Sequence, residues 1–513
     1  MEVLPTYDAF SNSINILGTK EYIFDPLHSR PFNTGVWTEA PALVGLVAAI
    51  WQAHFAEGEA AKKGGKKPGR PYIEQLRVVI TDLYLAWRED WNLCLGIHFC
   101  EGAWDSRSRY NPHGLSKQVV TLIKRLEEAG LVRIAPGSYA GPGAKGNRTT
   151  RIQASWGLQQ IFGRLSVQVG AIGEVPGECI ILKEGEGDNS KEVDYEDTEE
   201  THRMRQDLRA YNDLLSRTFI DIPTQEVPWI TRYDRKGQEI RVAISPRNQH
   251  VRRIFNRGSW RMNGRFYGPW WQGLGSELRS LIFINDTPTV EIDFKSMHLQ
   301  LLAAQEGVEV VGDPYLLPSG QFEGIGPGEQ REMVKLLVLT ALNAKSLRAT
   351  WAAFRDHYPP SHSGSHLKNV ELEVVLRLVT DKNAWLASHL GADRGIGLMY
   401  LDSLIMEWVI NRCTEAGVPV LTVHDSVIVP YTLSLWVQRL MRRAAMQVLG
   451  RELPLEAKSP GLDGQGADVR LDFEAWRKTE RCDGYLRRLR AWEVEKERVV
   501  VPFGMELRKL RAG

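Results

Sequence analysis

Thr289-Val290-Glu291-Ile292-Asp293-Phe294-Lys295-Ser296-Met297-His298-Leu299-Gln300-Leu301-Leu302 alternates apolar and polar residues as far as Asp293 and then shifts to helical spacing. The pattern predicts a strand through Val290 and Ile292, with Asp293 at a strand-to-helix junction. A second stretch, Val418-Pro419-Val420-Leu421-Thr422-Val423-His424-Asp425-Ser426-Val427-Ile428-Val429-Pro430, has two β-rich runs around His424-Asp425-Ser426. Only a tight turn fits between them, which predicts a hairpin with Asp425 at its tip. Between these stretches, Arg331-Glu332-Met333-Val334-Lys335-Leu336-Leu337-Val338-Leu339-Thr340-Ala341-Leu342-Asn343 reads as a helix. Its i, i+4 spacing puts Arg331, Lys335, Leu339 and Asn343 on one face.

A guanidinium and an ammonium one turn apart make a docking surface for a triphosphate. Two carboxylates can hold two divalent ions about 4 Å apart, to activate a 3′-hydroxyl and stabilise leaving pyrophosphate. Taken singly, each feature has a plainer reading: an Asp at a strand end commonly caps a turn, and a basic i, i+4 pair commonly faces solvent. Their order along one chain is more specific.

That order, D-x-x-x-x-x-L-x-x-L, then R-x-x-x-K, then V-H-D-S between apolar strands, resembles motifs A, B and C of the family A DNA polymerases and the phage-type single-subunit RNA polymerases. The resemblance covers residues 262–458 and implies two Mg²⁺ ions, or Mn²⁺ in their place, held by Asp293 and Asp425. It implies triphosphate binding by Arg331 and Lys335, with Lys335 also catalytic, and His424 shaping the turn at the primer terminus. Leu339, Asn343 and His298 fall at further nucleotide-contacting positions. Gly312-Asp313-Pro314-Tyr315 stands where the family has an aspartate between motif A and the fingers helix, and residues 395–410 where a long helix leads into motif C. The chain also departs from the pattern. His298 replaces the glutamate with which the DNA enzymes block a 2′-hydroxyl, and the glycine of the RNA enzymes. Leu339 and Asn343 replace fingers aromatics, and only 132 residues separate Asp293 from Asp425, so the fingers must be small.

The remainder of the 513 residues is that of a multidomain globular protein, 43% hydrophobic and 25% charged, with a net charge of +1. Cys94, Cys100, Cys179, Cys413 and Cys482 form neither a disulfide framework nor a paired zinc signature, so a reducing cytoplasm is expected. No basic n-region leads an apolar run, and no stretch reaches the roughly 18 apolar residues of a membrane span. The Gly/Lys-rich run 62–70 and the acidic run 184–200 read as breaks.

Between the breaks, a helix from residue 72, a second helix with Ser116 as its N-cap, and two strands around a Gly/Pro-rich excursion (136–147) follow the order of a winged helix-turn-helix, which this segment resembles. Such a domain would present Lys117, Gln118, Thr121, Lys124 and Arg125 to a DNA groove, with Lys145, Arg148 and Arg151 as wing phosphate contacts. Upstream of the palm motifs, residues 247–272 interleave Arg252, Arg253, Arg257, Arg261 and Arg265 with aromatics and contain no acidic residue, a pattern suited to a primer-template duplex.

The expected fold is therefore α+β: an N-terminal winged helix-turn-helix domain, then a minimal right-hand polymerase domain. The expected boundaries are 1–70 for an N-terminal segment, 71–165 for the winged helix, 166–200 for an acidic linker and 201–513 for the polymerase-like part. Within that part, 201–265 is thumb-like, 266–300 and 395–470 are palm, 301–394 are fingers and 471–513 are a basic tail. The expected function is a DNA-directed DNA polymerase acting on primer, template and nucleoside triphosphates. Proofreading is not expected, because no Asp-x-Glu exonuclease signature lies in a suitable strand before the palm, and Asp197-Thr198-Glu199 lies in the acidic run. Two other readings stand beside it: an RNA-synthesising primase or transcriptase on the same fold, and a sequence-specific DNA-binding replication initiator or regulator whose polymerase-like half is inactive.

Overall fold

In a computed structural model, residues 24–56, 71–100, 103–139, 147–167, 171–187, 190–233, 239–458 and 480–497 are described. The run 62–70, residues 140–146 with Lys145, and residues 471–479 and 498–513 of the expected basic tail lie outside them. Two compact units form, Met1–Gly177 and Glu178–Gly513. Among the described residues no helix is long and apolar enough to cross a membrane.

The first unit runs β1 (Ser29–Pro31), β2 (Val36–Thr38), α1 (Pro41–His54), α2 (Tyr72–Glu89), β3 (Cys94–Ile97), α3 (Gln118–Glu128), β4 (Val132–Ala135), β5 (Thr150–Ala154), α4 (Trp156–Gly163) and β6 (Ile172–Glu174). Its main sheet has the order β1-β3-β5-β4, and β2 pairs with β6 in a separate ribbon. α2 is the hub, buried from Leu76 through Ala86 save for Arg77. The fully buried Asp82 on α2 takes two hydrogen bonds from the guanidinium of Arg30 on β1. This corrects the expectation of a separate N-terminal segment: β1, β2 and α1 belong to the unit that α2 and β3 organise. α3 begins at Gln118 rather than Ser116, whose backbone N–H and hydroxyl both donate to Gln75 Oε1.

The second unit opens with β7 (Ile180–Glu184), β8 (Lys191–Glu192), α5 (Glu199–Ser216), β9 (Ile220–Asp221) and the ribbon β10–β11 (Trp229–Tyr233, Glu239–Ala243). It continues with β12 (Arg252–Phe255), β13 (Asn263–Tyr267), β14 (Phe283–Ile284), β15 (Thr287–Phe294) and α6 (Met297–Gln305). Then come α7 (Pro327–Asn343), α8 (Leu347–Asp356), α9 (Asn369–Lys382), α10 (Gly395–Glu415), β16 (Leu421–Val423), β17 (Ser426–Pro430), α11 (Ser434–Leu449), β18 (Leu455–Lys458) and α12 (Asp483–Glu497). One four-stranded sheet has the order β13-β12-β7-β8. The other has β16-β17-β15-β14-β9, with β18 also on β15. One continuous apolar core joins both sheets to the helices.

The acidic run is not an extended linker. β7, buried at Ile180 to Leu182, pairs in parallel with β12, and Tyr195 donates to Ile180 O. Asp197 pairs with Arg205, and Thr198 caps α5 through a hydrogen bond from Thr201 N. Glu199 and Glu200 stand in the first turn of α5, where the helix dipole favours negative charge. The thumb-like range also loses β9 to the main sheet, where Ile220 and Asp221 pair with β14. The tail helix α12 docks on the same edge: Arg488 pairs with Asp221, Arg481 with Asp286 and Arg487 with Glu226.

Candidate active site

β15 is the central strand. On one side Thr289 to Asp293 pair with Pro430 to Ser426 of β17, and on the other Glu291 to Phe294 pair with Lys458 to Leu455 of β18. Asp293 thus lies directly opposite Ser426, the residue after Asp425, so that both aspartates reach the same end of adjacent antiparallel strands. Val423 pairs with Ser426, which closes a two-residue turn of His424 and Asp425. His424 has φ 57°, a conformation that costs an L-residue energy and recurs where function demands a fixed geometry. Ser296, at the other junction, has φ 53°.

The turn is held from three directions. Tyr211 on α5 donates to Val420 O, Trp271 Nε1 and Gln272 Nε2 both donate to Thr422 O, and the Tyr267 ring meets the His424 ring edge-on at 5.7 Å. Trp270 and Trp271 are therefore core residues that position this hairpin.

Burial raises the Asp425 carboxyl above the ordinary carboxylate range; the Arg265 charge pulls it back, and Asp402 adds to the rise. His424 is lowered, by burial first and by Arg265 second. Glu291, two residues before Asp293, is clamped by Arg279 and receives a hydrogen bond from Ser426 Oγ, which fixes β15 against β17.

The face of α7 bearing Arg331, Lys335, Leu339 and Asn343 is half-buried to exposed, while Met333, Val334, Leu337, Val338, Ala341 and Leu342 fill the core. Arg331 Nε donates to Asp313 Oδ2 at 2.5 Å, and the guanidinium lies 5.8 Å from the centre of the Tyr315 ring. That hydrogen bond holds Arg331 more firmly protonated than usual. Asp313 is lowered by it despite partial burial, which acts the other way. Burial raises the phenol of Tyr315, the nearby Ser296 side chain and the Arg331 charge draw it back, and the Asp313 and Asp425 charges add to the rise. Tyr315 therefore stands near both Arg331 of α7 and the turn after Asp293. No hydrogen bond or ion pair engages the Lys335 ammonium among the described residues. Asn343 donates to Leu339 O and lies over Gly395, where a Cβ would come within 1.8 Å of its Oδ1.

His298 is 9% exposed, and its Nε2 lies 3.3 Å from Asp402 Oδ2 and 3.1 Å from Arg265 Nη2. Asp402, wholly buried on α10, binds Arg265 Nε through both oxygens at 2.9 Å. The expectation of an exposed arginine stripe is corrected here. Arg265 is buried in this ion pair. Arg253, 2% exposed, is paired with Glu407 at 2.9 Å and donates to Gly264 O. Arg257 is held by Asp393 and Glu186, which leaves Arg252 and Arg261 exposed. The cause is a β-bulge: the register slips between Ile254 and Phe255, and Gly264, at φ 82°, lies where a Cβ would be 2.8 Å from Ser403 Oγ. The bulged hairpin thereby presses its arginines onto α10.

In the first unit, Lys117, Lys124 and Arg125 are exposed and Gln118 is half-buried. Arg148 donates to Pro136 O at 3.4 Å. Arg151 is bonded to Thr149 and lowered by burial and then by the Arg148 charge, so it lies along the sheet rather than projecting from it.

No family model and no curated protein matches the chain. Among solved structures it is similar to the POL domain of Pol1 from M. smegmatis in complex with DNA primer-template and dNTP, at 11% identity and a TM-score of 0.28. The match covers 82% of this chain and 66% of that one. So low a score carries no argument about activity, which must come from the site itself.

The donor chemistry of that site suits a hard cation, since Asp293 and Asp425 offer carboxylate oxygen. Among the described residues no group of three or more His, Cys, Asp or Glu side chains is arranged to hold a metal. Sequence reading missed Asp402 and the position of Tyr315 beside Arg331. Asp402 did leave a signal, as the single charged residue among 395–406 of an apolar helix.

Proposed function

We propose that the chain is a template-directed nucleotidyltransferase, in the first instance a DNA-directed DNA polymerase without proofreading. One observation carries the reading: Asp293 and Asp425 come to the same end of adjacent antiparallel strands, while α7 presents Arg331 and Lys335 on one partly exposed face. Asp293 and Asp425 would hold two Mg²⁺ ions, which neutralise charge on the attacking and leaving oxygens. Arg331 and Lys335 bind the triphosphate, Arg331 exchanging Asp313 for phosphate oxygens, and Lys335 meets charge developing on the leaving group. His424 sets the turn against which a primer terminus rests. In the first unit, a winged helix-turn-helix reading is supported by β5 lying between β3 and β4 and by exposed Lys117 and Lys124 beside the hairpin.

A second reading, RNA synthesis, is permitted by His298. A histidine fixed by Asp402 and Arg265 is neither the glutamate nor the glycine of the two enzyme classes. Extension of a labelled primer with Mg²⁺ and either dNTPs or NTPs tests both. Parent activity should fall about a thousandfold or more in Asp293→Asn and in Asp425→Asn, a loss of several kcal/mol of charge stabilisation. Activity in either variant close to the parent's would remove the two-carboxylate mechanism. No extension by the parent with Mg²⁺ or Mn²⁺ on DNA or RNA templates, together with a specific DNA footprint, would favour an inactive DNA-binding protein.

A further inference from the structure

Asp402 has no place in the chemistry above, yet it is a wholly buried carboxylate beside the motif C turn. Its partner Arg265 stands two residues before Tyr267, whose ring rests on His424. A buried guanidinium carries its charge permanently and requires an anion, since leaving it uncompensated in a low-dielectric interior is costly. Two carboxylates are within its electrostatic reach, Asp402 and Asp425. Asp402 takes it in a two-oxygen grip, and the grip is braced by His298, whose Nε2 contacts both members.

We propose that Asp402 is a positioning residue: its carboxylate keeps the Arg265 guanidinium off Asp425, so that Asp425 remains available to a divalent cation. The proposal rests on the reading of Asp425 as a metal ligand. Without Asp402, Asp425 is the remaining carboxylate whose charge Arg265 feels, and an ion pair between the two would compete with the cation for the same oxygens. Asp402 acts through Arg265, to which both of its oxygens are bound, rather than as a ligand itself.

The test is Mn²⁺ binding to the full chain, followed by the electron paramagnetic resonance of free Mn²⁺, with no nucleotide or DNA present. Asp402→Asn should weaken binding about 10–100-fold, as loss of an outer partner of a metal site does. Arg265→Gln should bind at least as tightly as the parent, and Asp402→Asn with Arg265→Gln should return to within a few-fold of it. The double variant and Arg265→Gln keep the test decisive if Asp402→Asn alone does not fold. Parent-like binding by Asp402→Asn overturns the proposal, as does weaker binding by Arg265→Gln. A double variant as weak as Asp402→Asn also overturns it, by making Asp402 a ligand. If the parent shows no binding that Asp425→Asn abolishes, both the metal-ligand reading and this inference fall. If such binding is present and Asp402→Asn leaves it unchanged, only this inference falls.

Discussion

His424 and Ser296 are non-glycine residues with positive φ that flank the two aspartates. The strain at His424 can be separated from the loss of its ring by comparing two truncations. Both His424→Ala and His424→Gly remove the contact with Tyr267, but only alanine retains the unfavourable conformation, so His424→Ala should be the less stable by about 1 kcal/mol. Thermal denaturation of the two variants reads that difference directly; equal stabilities would mean the turn relaxes. At this scale the sequence was a good guide to Asp293 and Asp425, because alternation and turn length are local properties. It was a poor one to the partners of Asp402 and His298, since a lone carboxylate in an apolar helix marks itself but not the β13, α6 and α10 residues that assemble around it. His298 illustrates the limit: its position along motif A was readable, but its engagement by Arg265 and Asp402 was not.

The β12–β13 hairpin shows why the arginine stripe misled. Its arginines look unopposed because no acidic residue lies between 247 and 272, yet Asp402 and Glu407 arrive on α10 well over a hundred residues later. Two functions follow for one stripe. Glu407→Gln leaves Arg253 buried without its anion and should cost about 3–5 kcal/mol in denaturant unfolding. Arg252→Ala and Arg261→Ala lie on the exposed side and should leave stability within about 0.5 kcal/mol, while each lowers the salt slope of DNA binding by about 1. An unchanged slope would take this face out of the interface. On α7, Asp313 holds the guanidinium that the proposed triphosphate requires. Asp313→Asn should therefore lower the apparent KM for nucleotide several-fold with little change in stability, because the pair is partly exposed. A higher KM would show instead that Asp313 aims Arg331 at its ligand.

Across the whole molecule, pH acts through a residue remote in role from the chemistry. His250 is lowered from 6.5 to about 4, by burial first and then by Arg252 and Arg209. Above pH 6.5 the ring is neutral in both folded and unfolded chains. Below it the unfolded chain takes a proton that the folded one refuses, so stability should decline through the interval down to about pH 4, by on the order of 3 kcal/mol. His250→Gln should flatten the unfolding free energy over that interval, and an unchanged slope would assign the loss to other groups. Domain division was legible only in outline. The acidic run was sought as a boundary because charge and glycine ordinarily mark solvated chain, but Thr198 within it caps α5 and Asp197 pairs with Arg205, and the compact units divide at Gly177 and Glu178 instead.

The sheet bearing the two aspartates is finished differently at its two margins, and the finish has a consequence for colloidal behaviour. At β16 the carbonyls of Val420 and Thr422 are already taken by Tyr211, Trp271 and Gln272, while at β9 the tail helix is pinned by Arg488 to Asp221. An open strand margin is a template on which another molecule can extend the sheet. Here the side chains that steady the hairpin also deny that template to a stranger. The tyrosine, tryptophan and glutamine that steady the turn of Asp425 thus also close this margin, and a change that loosens the turn should expose the strand to self-association.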